Sequence, residues 1–506
     1  MTTNGEAADR LARDYGVRVD DMSKARSDIP ESHEFTDVGM AERFASQHGA
    51  NVRYVKTWNR WVHFDGRKWA DNETSRIEQM ANESVAILYE DAAEASRKGD
   101  SGRVDHLHAA AKTYRNVRRR NALLEAAQSH PGIAVRPDDF DNAPYLLNVL
   151  NGTVDLRTAE LLPHKAEDLI TKIAGCEYRP DAECPLFGRF LSEVFDGDAE
   201  LMRFVKRVVG YSAIGGTQER ILMILWGIGK NGKSTLIETL SDVLGDYAKT
   251  TPVQTLLSKR SEIPNDVAAL KGARFVHASE SPEGRRLNES LVKAMTGNDT
   301  LSARFMRAEW FEFKPEFTMW LATNNKPRID DPSEATWDRI RLIPFQVRFG
   351  ERGAPPVDKY LPDKLRKELP GILRWIVEGA VEYQEHGLVP PDAVLAATEA
   401  YRTEQDALAE FLDDCCVIKA DAWCSSSSAW EAYEGYLGKS ARLTRTEFGK
   451  AMTSRGFERV RQRENERLQR GYKGVGILSD RRQDSTTGMT DQDWADVDDA
   501  LSADRL

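Results

Sequence analysis

The chain has 506 residues, a formal net charge of −11 and a hydrophobic fraction of 41%. This length predicts roughly three domains. The sequence contains no apolar run long enough to predict a membrane span and no N-terminal signal peptide, so we expect a cytoplasmic protein without a membrane partner. The cysteines lack the spacing of a disulfide framework. Thiols in a reducing compartment are favoured over the alternative of a zinc site at Cys415, Cys416 and Cys424.

The N-terminal third is predicted to be mainly helical. Residues 1–34 are charged and poor in aromatic residues, which is typical of a flexible arm. Residues 54–69 interleave aromatic and basic residues around an Asp-Gly turn, and a small packed sheet is favoured over a base-stacking platform. Helical patterns follow over 75–130. The basic run at 115–120 indicates a solvated helix face or, alternatively, a phosphate-binding surface.

A phosphate-binding loop is the most informative motif of the chain. Residues 227–234 match the pattern G-x-x-x-x-G-K-[ST] in full, after an apolar run at 221–226 and before a helical pattern at 234–240. A buried strand, a glycine loop and a helix N-terminus together surround an anion with backbone N–H groups. We therefore expect a nucleoside triphosphate, ATP, to be bound by Gly227, Gly229, Lys230, Asn231, Gly232, Lys233, Ser234 and Thr235.

The loop also predicts a magnesium site. Lys233 would reach the β- and γ-phosphates, and the Ser234 hydroxyl would bind Mg²⁺. A second acidic group is expected at the end of a neighbouring strand, and the apolar segment 274–280 ends in Glu280. Glu280 is the candidate catalytic base and second metal ligand, and Ser279 stands before it where many NTPases have Asp.

Two further catalytic positions follow downstream. The apolar segment 317–325 ends in amides, and Asn324 is placed where ring-shaped NTPases sense the γ-phosphate and orient water. Arg339 and Arg341 come next. An arginine in this place commonly acts on the neighbouring subunit's site, where such a finger is worth about 10³–10⁵ in rate. Arg339 is the first choice and Arg341 the second, and a salt-bridging strand residue is the alternative for each.

A hairpin is predicted between the acidic strand and the amide strand. A Thr-Gly-Asn-Asp turn at 296–299 precedes a short basic and apolar segment and then a strand. Such an insertion projects from the nucleotide core, and in a ring it would point into the central channel. The candidate DNA contacts of this region are Lys293, Arg304 and Arg307.

The C-terminal charges separate into two blocks that the net charge conceals. Residues 439–473 carry 11 Lys/Arg against 4 Glu, a net +7, and residues 474–506 carry 8 Asp against 3 Arg, a net −5. This pattern predicts a DNA-binding domain followed by a disordered acidic tail that competes with DNA for it.

Taken together, these motifs resemble a superfamily 3 helicase, the helicase half of the phage and plasmid primase-helicase family. The resemblance covers roughly residues 50–475. It is carried by the loop at 227–234, Glu280, Lys293 with 296–299, 322–324 and 337–339, and by 146–156, 181–185 and 210–211 upstream.

This resemblance implies an α/β, AAA+-like P-loop NTPase core with a parallel sheet, an α-rich N-terminal helicase-associated domain and a C-terminal winged-helix domain. In the winged helix the candidate phosphate contacts are Arg459, Arg461 and Arg463. The expected division is a flexible arm at 1–34, a collar at 35–200, the ATPase core at 201–355, a helical lid at 356–412, the winged helix at 413–478 and the acidic tail at 479–506.

The predicted function is that of an ATP-dependent replicative DNA helicase from a phage or other mobile element. The family implies a homo-oligomer, typically a hexameric ring, that moves along single-stranded DNA and acts on origin or forked DNA. The alternatives are an origin initiator or loader without processive unwinding, and a non-catalytic DNA-binding scaffold. Because only about 50 residues precede the helicase-associated region, we expect no primase activity, and a separate primase or polymerase is a candidate partner.

Overall fold

The computed structural model describes residues 34–257, 265–279, 285–304, 310–329, 333–437, 443–464 and 467–478. The predicted arm before residue 34, the acidic tail at 479–506, Glu280 and Arg307 lie outside these described residues. The chain divides into two compact units. The larger consists of Met1–Pro327 and Asp338–Thr398, and the smaller of Arg328–Trp337 and Glu399–Leu506.

Helices packed with a small mixed sheet begin the larger unit. The helices are α1 (Asp37–His48), α2 (Arg76–Arg97), α3 (Ser101–Tyr114) and α4 (Val117–Ala127). The strands, in the order β3-β2-β1-β4, are β1 (Val52–Val55), β2 (Arg60–Phe64), β3 (Trp69–Asp71) and β4 (Ala134–Val135). Tyr54 and Trp69 are each 2% exposed, so the predicted packed sheet is confirmed. Trp58 stays partly exposed in the β1–β2 turn.

An antiparallel meander follows. Its strands are β5 (Leu146–Val149), β6 (Gly152–Asp155) and β7 (Glu160–Leu162). The β5–β6 turn consists of residues 150–151, and Gly152 is the first residue of β6. A Cβ atom on Gly152 would lie 2.4 Å from the Leu162 carbonyl oxygen, so the close approach of β7 requires a glycine there.

A parallel sheet forms the centre of the larger unit. Its described strands, in the order β14-β8-β13-β10-β9, are β8 (Leu222–Trp226), β9 (Ala248–Thr250), β10 (Phe275–Ser279), β13 (Thr318–Thr323) and β14 (Ile340–Pro344). Residues of β13 are buried throughout, as the continuous apolar run predicts for a strand covered on both faces. Because these strands are parallel, the residues that follow β8, β10 and β13 share one edge of the sheet.

Helices cover this sheet, and a hairpin extends from it. The helices are α5 (Pro185–Val194), α6 (Ala199–Ile214), α7 (Lys233–Leu244), α8 (Val253–Leu256), α9 (Asn265–Ala268), α10 (Glu289–Thr296), α12 (Leu361–Leu365), α13 (Leu369–His386) and α14 (Asp392–Gln405), which continues into the smaller unit. Strands β11 (Leu301–Ala303) and β12 (Phe311–Phe313) pair antiparallel, so the hairpin is present. The predicted turn at 296–299 lies before β11 and not between the two strands. Helices α6 and α13 pack closely, with Gly210 against the backbone of Ala380.

The smaller unit combines helices with an antiparallel sheet. Its elements are α11 (Glu334–Trp337), α15 (Ala407–Cys415), β15 (Cys416–Val417), β16 (Trp423–Ser425), α16 (Ser426–Leu437), α17 (Arg445–Ser454), β17 (Glu458–Glu464), β18 (Arg467–Lys473) and β19 (Gly476–Ile477). Strands β16, β18 and β17 form a sheet in that order, and Phe411, Tyr433, Phe448 and Met452 lie in the core beside it. In neither unit is a described helix both long and apolar enough to cross a bilayer.

Candidate functional site

The loop between β8 and α7 has the backbone shape of an anion cradle. Gly229, Lys230 and Gly232 have positive φ angles of 52°, 50° and 87°, which direct successive N–H groups to one side. A Cβ on Gly227 would lie 2.2 Å from the Phe345 carbonyl oxygen, and one on Gly232 would lie 2.7 Å from Val194 Cγ2. These glycines are therefore required by close packing as well as by backbone conformation.

Lys233 is a buried cation at the centre of this loop. Its side chain donates to the Gly227 carbonyl oxygen at 2.5 Å, to Asn231 Oδ1 at 2.9 Å and to Asn324 Oδ1 at 2.9 Å. All three acceptors are neutral, and no carboxylate among the described residues pairs with Lys233. Burial lowers the pKa of Lys233 to about 8. A buried ammonium without a carboxylate partner fits an anionic ligand such as a triphosphate.

Asn324 lies against the loop, as the sequence predicts for a residue that senses the γ-phosphate. Thr323 pairs with Trp226 across β13 and β8, which brings the next residue, Asn324, over the glycine loop. Besides Lys233, Asn324 Oδ1 accepts from the Gly229 backbone N–H at 3.3 Å. An amide is thus positioned beside the candidate phosphate site.

Two neighbours of Asn324 were missed in the sequence. Trp226 Nε1 donates to the Asn324 carbonyl oxygen at 3.1 Å, and the Lys326 ammonium lies 4.2 Å from the centroid of the Trp226 ring. The available signal was the aromatic residue directly before the loop and the lysine directly after the amides.

Ser234, a candidate magnesium ligand, and Ser279, which precedes the other candidate in the chain, lie at the same edge of the sheet. Ser234 is exposed in the first turn of α7, and Thr235 follows it. Ser279 ends β10 and is exposed beside β13, and Glu280 comes directly after it, outside the described residues. Two residues before Ser279, His277 is buried and hydrogen-bonds through Nε2 to Thr250 Oγ1 at 3.0 Å, and its burial lowers its pKa.

Arg339 and Arg341 lie at the opposite edge of the sheet. Arg339 precedes β14, whose first residue pairs with Leu222, the first residue of β8. The length of β8 therefore separates Arg339 from the loop of its own chain by roughly 17 Å. Arg341 donates to the carbonyl oxygens of Asp338 and Ile340 at 2.8 and 2.9 Å. The structure does not bring either arginine to the phosphate loop of the same chain.

The predicted DNA contacts of the core occupy different elements. Arg304 follows β11 at the hairpin, is exposed, and holds its guanidinium 5.0 Å from the ring centroid of Trp310, which is 54% exposed. Lys293 is half-buried on α10 rather than on the hairpin. Arg307 falls in the hairpin segment outside the described residues.

Strands β17 and β18 form a ribbon whose charges are separated by face. Across the ribbon Arg459 faces Tyr472, Arg461 faces Arg470 and Arg463 faces Leu468, and all four arginines are exposed. The alternate positions form the other face, where Glu458 lies opposite Lys473. We call the face that carries Arg459, Arg461, Arg463 and Arg470 the arginine face. Like charges directly opposite each other, such as Arg461 and Arg470, destabilise a ribbon. An anionic partner would offset this repulsion, so the arginine face is suited to one.

The alternative of a zinc site finds no support in the geometry. Cys416 and Cys424 are buried free thiols in the smaller unit, and burial raises the pKa of Cys416 to about 12. Over the residues that the structure covers, no group of His, Cys, Asp or Glu is arranged to hold a metal ion.

Comparison with known proteins identifies two family regions in the chain. Residues 41–196 match the family described as D5 N terminal like, and residues 225–339 match a family of unknown function, DUF5906. A putative helicase of Acanthamoeba polyphaga mimivirus is 25% identical over 409 residues, which cover 74% of this chain and 42% of that protein. A putative helicase of Frog virus 3 is 29% identical, over 49% of this chain and 27% of that protein.

The chain therefore contains a region that matches the D5 N terminal like family and is similar to putative helicases of viruses. A putative primase of African swine fever virus is also similar, at 27% identity over 54% of this chain and 31% of that protein. This chain spans less than half the length of each of these three relatives. The C-terminal region of NrS-1 is a similar solved structure, with 12% identity, a TM-score of 0.48 and coverage of 87% of this chain and 99% of that one. The narrower superfamily 3 assignment stays a prediction.

Proposed function

We propose that this chain is an ATP-dependent DNA helicase. The observation that carries the proposal is the contact of Asn324 with both Lys233 and the Gly229 N–H in the phosphate loop. A site that only bound nucleotide would not need an amide held at the γ-phosphate position. The names of the viral relatives, putative helicases and putative primases, point to the same class.

The residues of the loop and those near it would have different roles in hydrolysis. The N–H groups of 229–233 and the α7 N-terminus would hold the phosphates, and Lys233 would exchange its neutral acceptors for phosphate oxygens. Mg²⁺ would be held by Ser234 and Glu280 and supplies charge neutralisation at the phosphates. Asn324, released by Lys233, would orient the attacking water, and Glu280 would accept its proton.

The architecture supports an AAA+-like core followed by a winged helix. A parallel sheet carries the phosphate loop on its interior strand β8, and the amide follows the neighbouring strand β13. In the smaller unit, α15, α16 and α17 precede the β17–β18 ribbon beside β16, which is the arrangement expected of a winged helix.

We infer two DNA contacts with different partners. The hairpin residues Arg304 and Trp310 offer a cation and an aromatic face to single-stranded DNA, and Arg307 belongs to the same proposal. The arginine face of the ribbon, Arg459, Arg461 and Arg463 with Arg470, would contact DNA phosphates at an origin or fork.

The proposed assembly is a homo-oligomeric ring, a hexamer in the family that the motifs resemble. A ring provides the neighbouring subunit that Arg339 needs, since it lies far from its own loop. Arg341 is the second choice, and its guanidinium binds two backbone carbonyls of its own chain. Phage origin, cytoplasmic location, a separate primase or polymerase partner and the lack of primase activity stay predictions.

ATP turnover with and without single-stranded DNA tests this function. We expect the wild type to hydrolyse ATP faster when single-stranded DNA is added and Lys233→Ala to lose turnover in both conditions. Turnover that DNA does not stimulate would contradict the helicase. An initiator or loader would also show ATP turnover that DNA stimulates, but it would not separate strands. In that case Arg304→Ala would leave the DNA-stimulated ATP turnover unchanged.

A further inference from the structure

Trp226 and Lys326 form a contact beside the phosphate loop that the proposed mechanism does not use. Trp226 is the last residue of β8, and Lys326 comes three residues after the end of β13. The Lys326 ammonium lies 4.2 Å from the ring centroid of Trp226. At that distance the quadrupole of the indole attracts the cation. A second lysine, Lys326, is thus held next to the proposed phosphate site of Lys233.

The same indole also fixes the position of Asn324. Its Nε1–H donates to the Asn324 backbone carbonyl, while the Asn324 side chain accepts from the loop. The turn is tightened by Thr323, whose hydroxyl donates to the Asn325 carbonyl oxygen at 2.7 Å and accepts from its N–H at 3.1 Å. Trp226 therefore contacts both the backbone that carries the amide and the cation that follows it.

A bound triphosphate would change the balance of these contacts. Charge-assisted hydrogen bonds from an ammonium to phosphate oxygens are stronger than a partly exposed cation–π contact. Lys326 is half-buried, and its four-carbon stem is flexible. Its ammonium can therefore move from the ring to a phosphate without a change in the Thr323–Asn325 turn, and the turn keeps Asn324 in place.

We propose that Lys326 binds the γ-phosphate, that the Trp226 ring holds its ammonium while the γ-phosphate is absent, and that Trp226 is the positioning residue for Asn324. This inference rests on the proposed function and deepens it. It assigns to Lys326 the discrimination of ATP from ADP, because only the triphosphate brings the oxygens that compete with the indole. Lys233, by contrast, contacts the loop and would bind either nucleotide.

Nucleotide binding by Lys326→Met tests the assignment of Lys326. Methionine keeps the length of the stem and removes the charge, and Lys359→Met is the control because Lys359 is exposed on a surface loop. We expect the affinity for a non-hydrolysable ATP analogue to fall about tenfold in Lys326→Met, with the affinity for ADP unchanged. Equal affinity in the two variants, or an equal loss for ATP analogue and ADP, would overturn the assignment.

The emission of Trp226 provides an independent readout. The difference between wild-type and Trp226→Phe spectra isolates this residue among the 11 tryptophans of the chain. We expect the ATP analogue to change that difference and ADP to leave it unaltered, and we expect no response in Lys326→Met. A response to the analogue that persists without the Lys326 ammonium would contradict the exchange.

Steady-state kinetics of Trp226→Phe test its positioning role. Phenylalanine keeps a ring for Lys326 and removes the N–H that holds Asn324. We expect kcat to fall about tenfold with little change in KM, because binding would be retained while the amide is less well aimed. An unchanged kcat, or an increase in KM without a fall in kcat, would show that the Trp226 indole does not position Asn324 for catalysis. A wild type that binds no nucleotide would instead refute the proposed function itself.

Discussion

At the scale of single residues, Lys233 determines how the site responds to pH. Its ammonium is buried without a carboxylate partner among the described residues, and its pKa is lowered to about 8. A bound triphosphate would favour the charged form and raise this pKa. Between the two values, binding must therefore take up a proton.

We predict that triphosphate affinity falls as the pH rises above about 8, by up to about tenfold per pH unit. Titrations from about pH 7 to about pH 9 in buffers of different ionisation enthalpy would measure both the affinity and the proton uptake. Lys233→Arg is the control, because a guanidinium stays charged over this range. An equal decline in that variant would assign the pH dependence to another group.

At the scale of elements, two helical glycines allow the effect of close packing to be compared with that of helix propensity. A Cβ on Gly210 in α6 would lie 2.1 Å from the Ala380 backbone nitrogen in α13, whereas a Cβ on Gly188 in α5 meets no described atom within 4 Å. We predict that Gly210→Ala lowers the free energy of unfolding by about 1–3 kcal/mol. Gly188→Ala should raise it by about 0.5–1 kcal/mol. Denaturant unfolding measures both, and changes of the same sign would contradict the packing account.

The β17–β18 ribbon offers a comparison between its two faces. Arg470 lies on the arginine face, and Lys473, on the same strand, lies on the other face opposite Glu458. We predict that Arg470→Ala weakens binding of duplex DNA and reduces the slope of log affinity against log salt by about 0.9, the value for one phosphate contact. Binding isotherms at several salt concentrations give this slope. Lys473→Ala removes the same charge, so an equal effect would mean that net charge alone attracts DNA.

The sequence predicts those parts of the site that are continuous in the chain. Residues 221–244 contain strand, glycine loop and helix in order, and the structure places each element within a few residues of its prediction. The apolar run before Asn324 also identified β13 and its polar end. The hairpin itself was predicted, but the turn residues 296–299 end α10 and precede β11 instead of connecting β11 with β12. Trp310, next to β12, was not noticed.

The contacts between distant residues were not predictable in the same way. Trp226 and Lys326 are 100 positions apart, and only the register of β8 with β13 brings them together. Period and propensity predict that both strands are buried but leave their pairing open. The local hydrogen bonds of Arg341 likewise depend on the fold of the segment that precedes β14.

At the scale of the whole molecule, we propose that each complete active site contains residues of two chains. Arg339 lies at the edge of the sheet opposite its own phosphate loop, so the catalytic role that we propose for it requires a neighbouring subunit. Arg339→Ala and Lys233→Ala subunits each lack one half of the site. Mixed in equal amounts, they should recover about a quarter of wild-type turnover in a head-to-tail ring. Turnover no higher than that of the separate variants would place the finger elsewhere.

A strand-displacement assay distinguishes a DNA helicase from an ATPase that does not separate strands. A duplex with a 3′ or a 5′ single-stranded tail is incubated with the wild-type chain and ATP, with a non-hydrolysable analogue, or with Lys233→Ala and ATP. We expect the wild type with ATP to release the displaced strand, and to release it from one of the two tailed substrates in preference to the other. We expect no release with the analogue or by Lys233→Ala. ATP hydrolysis by the wild type without release from either substrate would contradict a helicase and favour an initiator or loader.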